Sequence, residues 1–239
     1  MIIIFPMAGL SSRFLKAGYT KPKYMLQIKG YSVFYNAVIG FKNYFDSCKF
    51  LFIYRDVCDT YKFLKTECDK LKIKSYDMIK LENITMGQAH TVMLGLEKAK
   101  IHDEENMLIF NIDTFRYNYV LPNFDYHTLD GYLEVFKADG DQWSFIEAGE
   151  NNKVLKTAEK KRISNLCSSG LYYFKRVKDF KDIFYMIRKN NILVKNEFYI
   201  APMYNYLIQK GKVIKYNEID LSDIKFCGTP KEYERLKND

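Results

Sequence analysis

Ile2-Ile3-Ile4-Phe5-Pro6-Met7-Ala8-Gly9-Leu10-Ser11-Ser12-Arg13-Phe14, with Lys21-Pro22-Lys23 close behind, is the stretch that decides the fold. Three isoleucines and a phenylalanine in a row suit a strand buried on both faces, the place of a central strand in a parallel sheet. The strand runs straight into small residues. With little side chain at Ala8 and Gly9, backbone N–H groups can come close to phosphate oxygens. Ser11 and Ser12 add hydroxyl donors, and Arg13 offers a planar fork of N–H groups. Pro22 stiffens the following loop, so that Lys23 is presented as a fixed point charge. The loop, taken over Met7 to Lys23, is neither a GxxxxGK[ST] loop nor a GxGxxG fingerprint.

Outward from this stretch, strands and helices alternate. The spacing predicts a helix over Val33–Tyr44, a strand over Lys49–Tyr54, a helix over Cys58–Leu71 and a short strand over Ile73–Tyr76. A helix over Gln88–Lys98 and a strand over Met107–Ile112 follow, with Asp113 at the strand's C-terminal end. Right-handed crossovers then put helices on both faces of a three-layer α/β/α, Rossmann-like sheet, mixed but mainly parallel. In such sheets ligands bind at the carboxyl ends of the strands, which is where the loop after Phe5 and Asp113 meet. The second half predicts strands over Tyr132–Lys137, Trp143–Ala148, Val154–Thr157, Gly170–Phe174 and Lys212–Tyr216. Helices are expected up to Lys189 after that fourth strand, over Ala201–Gln209, and from Pro230 onward with Thr229 as N-cap. No linker divides the chain, so one domain over 1–239 is expected, with a nucleotide-binding half (1–130) and an acceptor-binding half (131–239).

The 239 residues carry a net charge of +8, spread along the chain without a dense basic run. That pattern suits a phosphate-binding pocket better than nucleic acid, and no nucleic-acid partner is expected. Cysteines number five, with no CxxC pair, which argues against a disulfide framework or a zinc site and for a reducing cytoplasm. No apolar run is long enough to cross a membrane, so no membrane partner is expected.

Ala8, Gly9, Ser12, Arg13, Phe14, Lys21, Pro22 and Lys23 together resemble the opening motif of the nucleotidyltransferase family. That family includes the sugar-phosphate nucleotidylyltransferases and the cytidylyltransferases of surface-polysaccharide and phosphocholine pathways. Further matches follow in order: Thr85-Met86-Gly87-Gln88-Ala89, Asn111-Ile112-Asp113, Glu159-Lys160-Lys161, Ser169-Gly170, Asn196-Glu197-Phe198-Tyr199 and Gly228-Thr229-Pro230. The resemblance is closest to capsule-locus cytidylyltransferases, including those that join CTP to a phosphate of L-glutamine to give CDP-L-glutamine.

The resemblance implies a transferase that moves a nucleotidyl group, CMP from CTP by preference, onto a phosphorylated small molecule with release of pyrophosphate, using Mg2+. It assigns Arg13, Lys23 and Asp113 to catalysis. Ala8, Gly9, Leu10, Ser11, Ser12, Thr85, Gly87, Gln88 and Ala89 fall to the nucleotide. Lys160, Ser169, Gly170 and Glu197 fall to the acceptor, and Asp113 to the metal. Two positions depart from the pattern. Many members carry a metal-binding aspartate where this chain has Phe226, leaving Asp220 or Asp223 as the candidate second ligand. The proline of the Glu-Lys-Pro motif is Lys161. A sugar-1-phosphate nucleotidylyltransferase using UTP, dTTP or GTP is the alternative enzyme. A non-catalytic nucleotide-binding regulator is the alternative of another class, motivated by Phe226.

Overall fold

The computed structural model describes residues 1–238; Asp239, the last residue of the expected domain, lies outside the described residues. The first half contributes β1 (Ile2–Pro6), α1 (Ser12–Lys16), a small ribbon of β2 (Gln27–Ile28) and β3 (Tyr31–Ser32), α2 (Val33–Val38), β4 (Lys49–Tyr54), α3 (Thr60–Leu71), β5 (Tyr76–Lys80), α4 (Gln88–Lys98), β6 (Met107–Ile109) and β7 (Thr114–Arg116). The second half adds β8 (Gly131–Lys137), β9 (Ser144–Ala148), β10 (Val154–Glu159), β11 (Leu166–Phe174), α5 (Val177–Lys189), α6 (Tyr204–Gln209), β12 (Ile214–Glu218), β13 (Ile224–Phe226) and α7 (Pro230–Asn238).

Among the described residues a nine-stranded sheet runs through both halves. Strands β6, β1, β4 and β5 are parallel neighbours. The long strand β11 joins β6 antiparallel and carries β8 on its other edge, and β12 lies parallel to β8. The β9–β10 hairpin completes the sheet against the first residues of β11. Only β10 and β11 run against the other strands, so the sheet is mixed and mainly parallel.

Alternation along β1 builds the two cores. Ile3 and Phe5 face an aromatic layer with Phe34, Phe41, Phe50, Phe52 and Phe110 beneath α2 and α3. Ile2 and Ile4 face the opposite layer, where Val92 and Leu96 of α4 and Phe180 and Phe184 of α5 pack. Burial of this apolar surface, at about 25 cal/mol per Å2, is the main drive for the three layers.

Several boundaries differ from those the pattern predicts, each for a local reason. The loop after β1 contains the short helix α1. The helix from Val33 gives way after Val38 to a 3-10 segment, with Phe41 non-helical, because Gly40 lies against the Arg116 carbonyl. Ile73 does not open a strand; its amide closes α3 by donating to the Cys68 carbonyl, with Lys72 left-handed, and the strand starts at Tyr76. Strand β6 stops at Ile109. Its ladder with β1 starts with the Ile2 amide on Asn106, and Pro6, which should continue it, has no N–H. The Gly170–Phe174 strand begins four residues earlier, at Leu166. The last predicted strand shifts to Ile214–Glu218, because the Val213 amide is taken by the Asp130 carboxylate. At the C-terminal helix the expected cap is present and reciprocal. The Thr229 hydroxyl accepts from the Glu232 amide at 3.2 Å, while the Glu232 carboxylate accepts from the Thr229 amide at 2.8 Å.

Candidate active site

Three contiguous cavities lie along the carboxyl ends of β1 and β6. The middle one, about 250 Å3, is lined by Ser11, Ser12, Arg13, Phe14, Lys23, Asp113 and Gly228. Arg13, Lys23 and Asp113 therefore share one cleft, although Asp113 is far from the other two in sequence. The Lys23 ammonium lies 2.5 Å from the Asp113 carboxylate, with side chains 23% and 20% exposed, so both remain reachable from solvent. The Ser11 hydroxyl accepts the Lys23 amide at 3.3 Å and so ties the Lys-Pro-Lys turn to the phosphate loop. The Cys227 amide donates to the Asp113 carbonyl at 2.8 Å, which holds Gly228 beside the carboxylate.

The second cavity, about 300 Å3, is lined by Ala8, Gly9, Leu10, Ser12, Ile84, Thr85, Gly87 and Gln88 among others. Its loop is fixed from behind. Gly87 has φ +103°, and a Cβ there would lie 2.7 Å from the Phe198 carbonyl oxygen, so only glycine fits. The Phe198 amide donates to the Met86 carbonyl at 2.7 Å and the Met86 amide donates to His90 Nδ1 at 3.1 Å. Burial pushes the His90 pKa below its ordinary value, which favours the neutral ring that can accept this bond.

The third cavity, about 370 Å3, opens between β11 and the β9–β10 hairpin. Arg13, Asp113 and Gly228 are shared with the middle cavity and Gln88 with the second. Its own lining includes Asn111, Trp143, Lys160, Ser169, Gly170 and Tyr199. Gly170 has φ +89°, and a Cβ there would lie 2.1 Å from the Asn111 amide nitrogen. That absence of side chain lets Asn111 reach Gln88, whose amide donates to it at 2.5 Å. Lys160 donates to the Tyr199 hydroxyl and stands 4.3 Å from the centre of that ring. Beside it the buried side chain of Glu159 accepts from Ser144, and burial raises its pKa.

Below this cleft lies a buried ion pair. Glu134 on β8 accepts from Arg116 at 3.0 Å through one oxygen and from the Ser169 hydroxyl at 3.0 Å through the other. Its side chain is 1% exposed and burial raises its pKa, with Arg116 opposing. One carboxylate thus joins β7, which follows Asp113, to β11.

Most expected residues line these cavities; two expectations need correction, Ala89 and the pair Asp220 and Asp223. Ala89 is fully buried and its amide donates to the Phe198 carbonyl at 3.0 Å, so it supports the loop rather than facing a base. Glu197 lines the second cavity, turned toward Gly87 by reciprocal backbone bonds with Val194, and its side chain reaches the third cavity through a hydrogen bond with Tyr199. Asp220 and Asp223 line none of the three cavities. Both sit around the 3-10 turn before β13, and the Asp223 carbonyl accepts from the Tyr117 amide. Among the described residues no group of three or more His, Cys, Asp or Glu side chains is arranged to hold a metal. Asn111, Trp143, Tyr199 and Glu232 are lining residues that the sequence reading missed. Asn111 and Tyr199 lie inside the Asn111-Ile112-Asp113 and Asn196-Glu197-Phe198-Tyr199 motifs, and Trp143 is the single tryptophan.

No protein-family model and no curated protein matches the chain. Solved structures do match. A nucleoside-diphosphate-sugar pyrophosphorylase from Vibrio cholerae RC9 is 46% identical, with 100% of each chain covered and a TM-score of 0.93. An inositol-1-phosphate CTP transferase from T. maritima shares the fold at 12% identity, covering 99% of this chain and 94% of that one, with a TM-score of 0.75. A UDP-glucose pyrophosphorylase from Acinetobacter baumannii does so at 14% identity, covering 99% and 92%, with a TM-score of 0.70. No helix among the described residues is long and apolar enough to cross a membrane.

Proposed function

Because the chain belongs to the nucleotidyltransferase family, we propose that its cleft transfers a nucleotidyl group from a nucleoside triphosphate to the phosphate of a small acceptor, releasing pyrophosphate. The observation that carries this reading is the shared cavity of Arg13, Lys23 and Asp113, open on one side to the glycine loops and on the other to the Lys160 cleft. An acceptor phosphate oxygen is already an anion at neutral pH, so attack needs no general base. That oxygen bonds to the α-phosphorus as the bond from α-phosphorus to the bridging oxygen breaks, and pyrophosphate leaves with the electron pair. The obstacle is repulsion among anions. Orientation and charge neutralisation therefore carry the catalysis.

Backbone and hydroxyl groups of Ala8 to Ser12 hold the triphosphate. Arg13 takes the β- and γ-phosphates and Lys160 the acceptor phosphate. The incoming α-phosphate draws the Lys23 ammonium from Asp113 and frees that carboxylate. Gln88 and the backbone of Thr85 to Gly87 face the base. Asp113 fits Mg2+, an ion that takes one or two carboxylates and fills its shell with phosphate oxygens and water. Bound there, the ion supplies charge neutralisation for the departing phosphates.

CTP is our proposed donor, on the resemblance of the phosphate-loop and Gly-Gln-Ala motifs to capsule-locus cytidylyltransferases, and surface-polysaccharide assembly in the cytoplasm is the proposed setting. L-glutamine phosphate is one acceptor reading, on the same resemblance. A sugar 1-phosphate with UTP, dTTP or GTP is the other, favoured by the name of the Vibrio cholerae relative. The test is pyrophosphate release with Mg2+ from CTP, UTP, GTP, ATP and dTTP, each paired with L-glutamine phosphate, glucose 1-phosphate and inositol 1-phosphate. Turnover with CTP supports the reading; turnover only with another triphosphate rejects CTP. Triphosphate binding by thermal shift without turnover on any pair favours the regulator.

A further inference from the structure

The far wall of the acceptor cleft is aromatic. Trp143, on the connection from β8 to β9, and Phe226, at the end of β13, both line the cleft, with ring centres 4.8 Å apart. Phe136 backs the wall at 5.2 Å from Trp143 and 5.1 Å from Phe226. The indole N–H donates to the Asp139 carbonyl at 3.1 Å, which fixes the ring's angle. Phe226 is fixed by strand pairing, since its register partner on β7 is Thr114, the residue after Asp113. The wall is thus held by the fold itself, with Phe226 paired to the residue that follows Asp113. The same two rings also line a further cavity of about 390 Å3, with Phe136, Leu221, Ile224 and Leu236 among its other walls. The rest of the lining is polar and includes Ser144, Ser168, Ser169, Asn111 and Tyr199.

A cleft apolar on one side and hydrogen-bonding on the other orients a ligand that has the matching two sides. We propose that Trp143, backed by Phe226, is a specificity-determining residue that packs on a C–H face carried by the acceptor close to its phosphate. The acceptor is accordingly a phosphorylated organic compound with hydrocarbon near the phosphate and polar groups on its other side. A sugar phosphate and an amino-acid phosphate share that chemistry. The inference rests on the nucleotidyl-transfer reading above.

The experiment compares wild type, Trp143→Ala and Trp143→Phe, using whichever of glucose 1-phosphate, inositol 1-phosphate and L-glutamine phosphate the wild type accepts best. Trp143→Ala is expected to raise the acceptor KM about 10-fold or more while the triphosphate KM stays within about twofold, the mark of lost binding at one substrate only. Trp143→Phe is expected to recover most of the loss. Inorganic phosphate, which has no carbon, serves as the control. Its inhibition constant against the acceptor is expected to stay within about twofold in Trp143→Ala. Trp143 is the single tryptophan, so its emission is expected to change saturably when the acceptor is added to wild type preloaded, in EDTA, with whichever triphosphate it turns over. An unchanged acceptor KM, an equal rise for triphosphate or inorganic phosphate, or silent emission overturns the proposal. Wild-type turnover with an indifferent Trp143→Ala refutes this inference alone. A wild type that releases no pyrophosphate on any pair refutes the transfer reading and this inference with it.

Discussion

The two walls of the cleft are built differently. The wall we assign to the nucleotide is backbone and solvent-reachable charge: a glycine-and-serine loop, with Lys23 paired to Asp113 and both about one-fifth exposed. The wall we assign to the acceptor is packed: Gly170 against Asn111, Trp143 against Phe226, and Glu134 buried beneath Ser169. The chain even places one ion pair in each setting, since Asp113 and Arg116 are three residues apart. A pair open to solvent contributes little to stability and is available for exchange with a ligand, whereas a buried pair is costly to break. Damage to the nucleotide wall should therefore appear in turnover, and damage to the acceptor wall in stability.

Glu134→Ala is the harshest test of that contrast. It leaves Arg116 buried without its partner and is expected to cost about 3–5 kcal/mol of stability, read as a large drop in melting temperature. A melting temperature within a degree or two of wild type would break the distinction between the walls. On the other wall, Lys23→Ala is expected to lower kcat on the order of 100-fold, equivalent to about 2.7 kcal/mol in the transition state. Its melting temperature should hardly move. Full turnover in that variant would remove Lys23 from the chemistry.

Gly170→Ala tests the packed wall more gently. The added methyl meets Asn111 on a left-handed backbone, and a loss of about 1–3 kcal/mol is expected together with a raised acceptor KM. The smallest effect concerns His90. Burial holds its folded-state pKa below the ordinary 6.5, so the unfolded chain takes up the proton first as pH falls. The stability His90 contributes is complete above that ordinary value and is lost as pH falls through its lower folded value. The triphosphate KM is then expected to rise on the acid side as Met86 loses its acceptor. A His90→Phe variant should show a weakened triphosphate KM without that acid step.

The nucleotide wall was the more legible in sequence. Its strand, small residues and paired cations fall within the first 23 positions, where local sterics and periodicity speak directly. The strand Lys49–Tyr54 and the helix Gln88–Lys98 were read with the observed bounds for the same reason. The boundaries that moved did so where a distant or neighbouring group claimed a backbone atom, as at Ile73 and Val213. The acceptor wall was read mainly through motif order, and Trp143 carried no local signal that it meets Phe226.

What the sequence determines by itself is which segments can be strand, helix or phosphate loop, because those depend on side chains a few residues apart. Only the tertiary structure decides that Lys23 meets Asp113, that Glu134 serves both Arg116 and Ser169, and that two rings line the acceptor cleft. Those contacts form where sheet register and crossover bring remote segments together, and no short-range spacing encodes that approach.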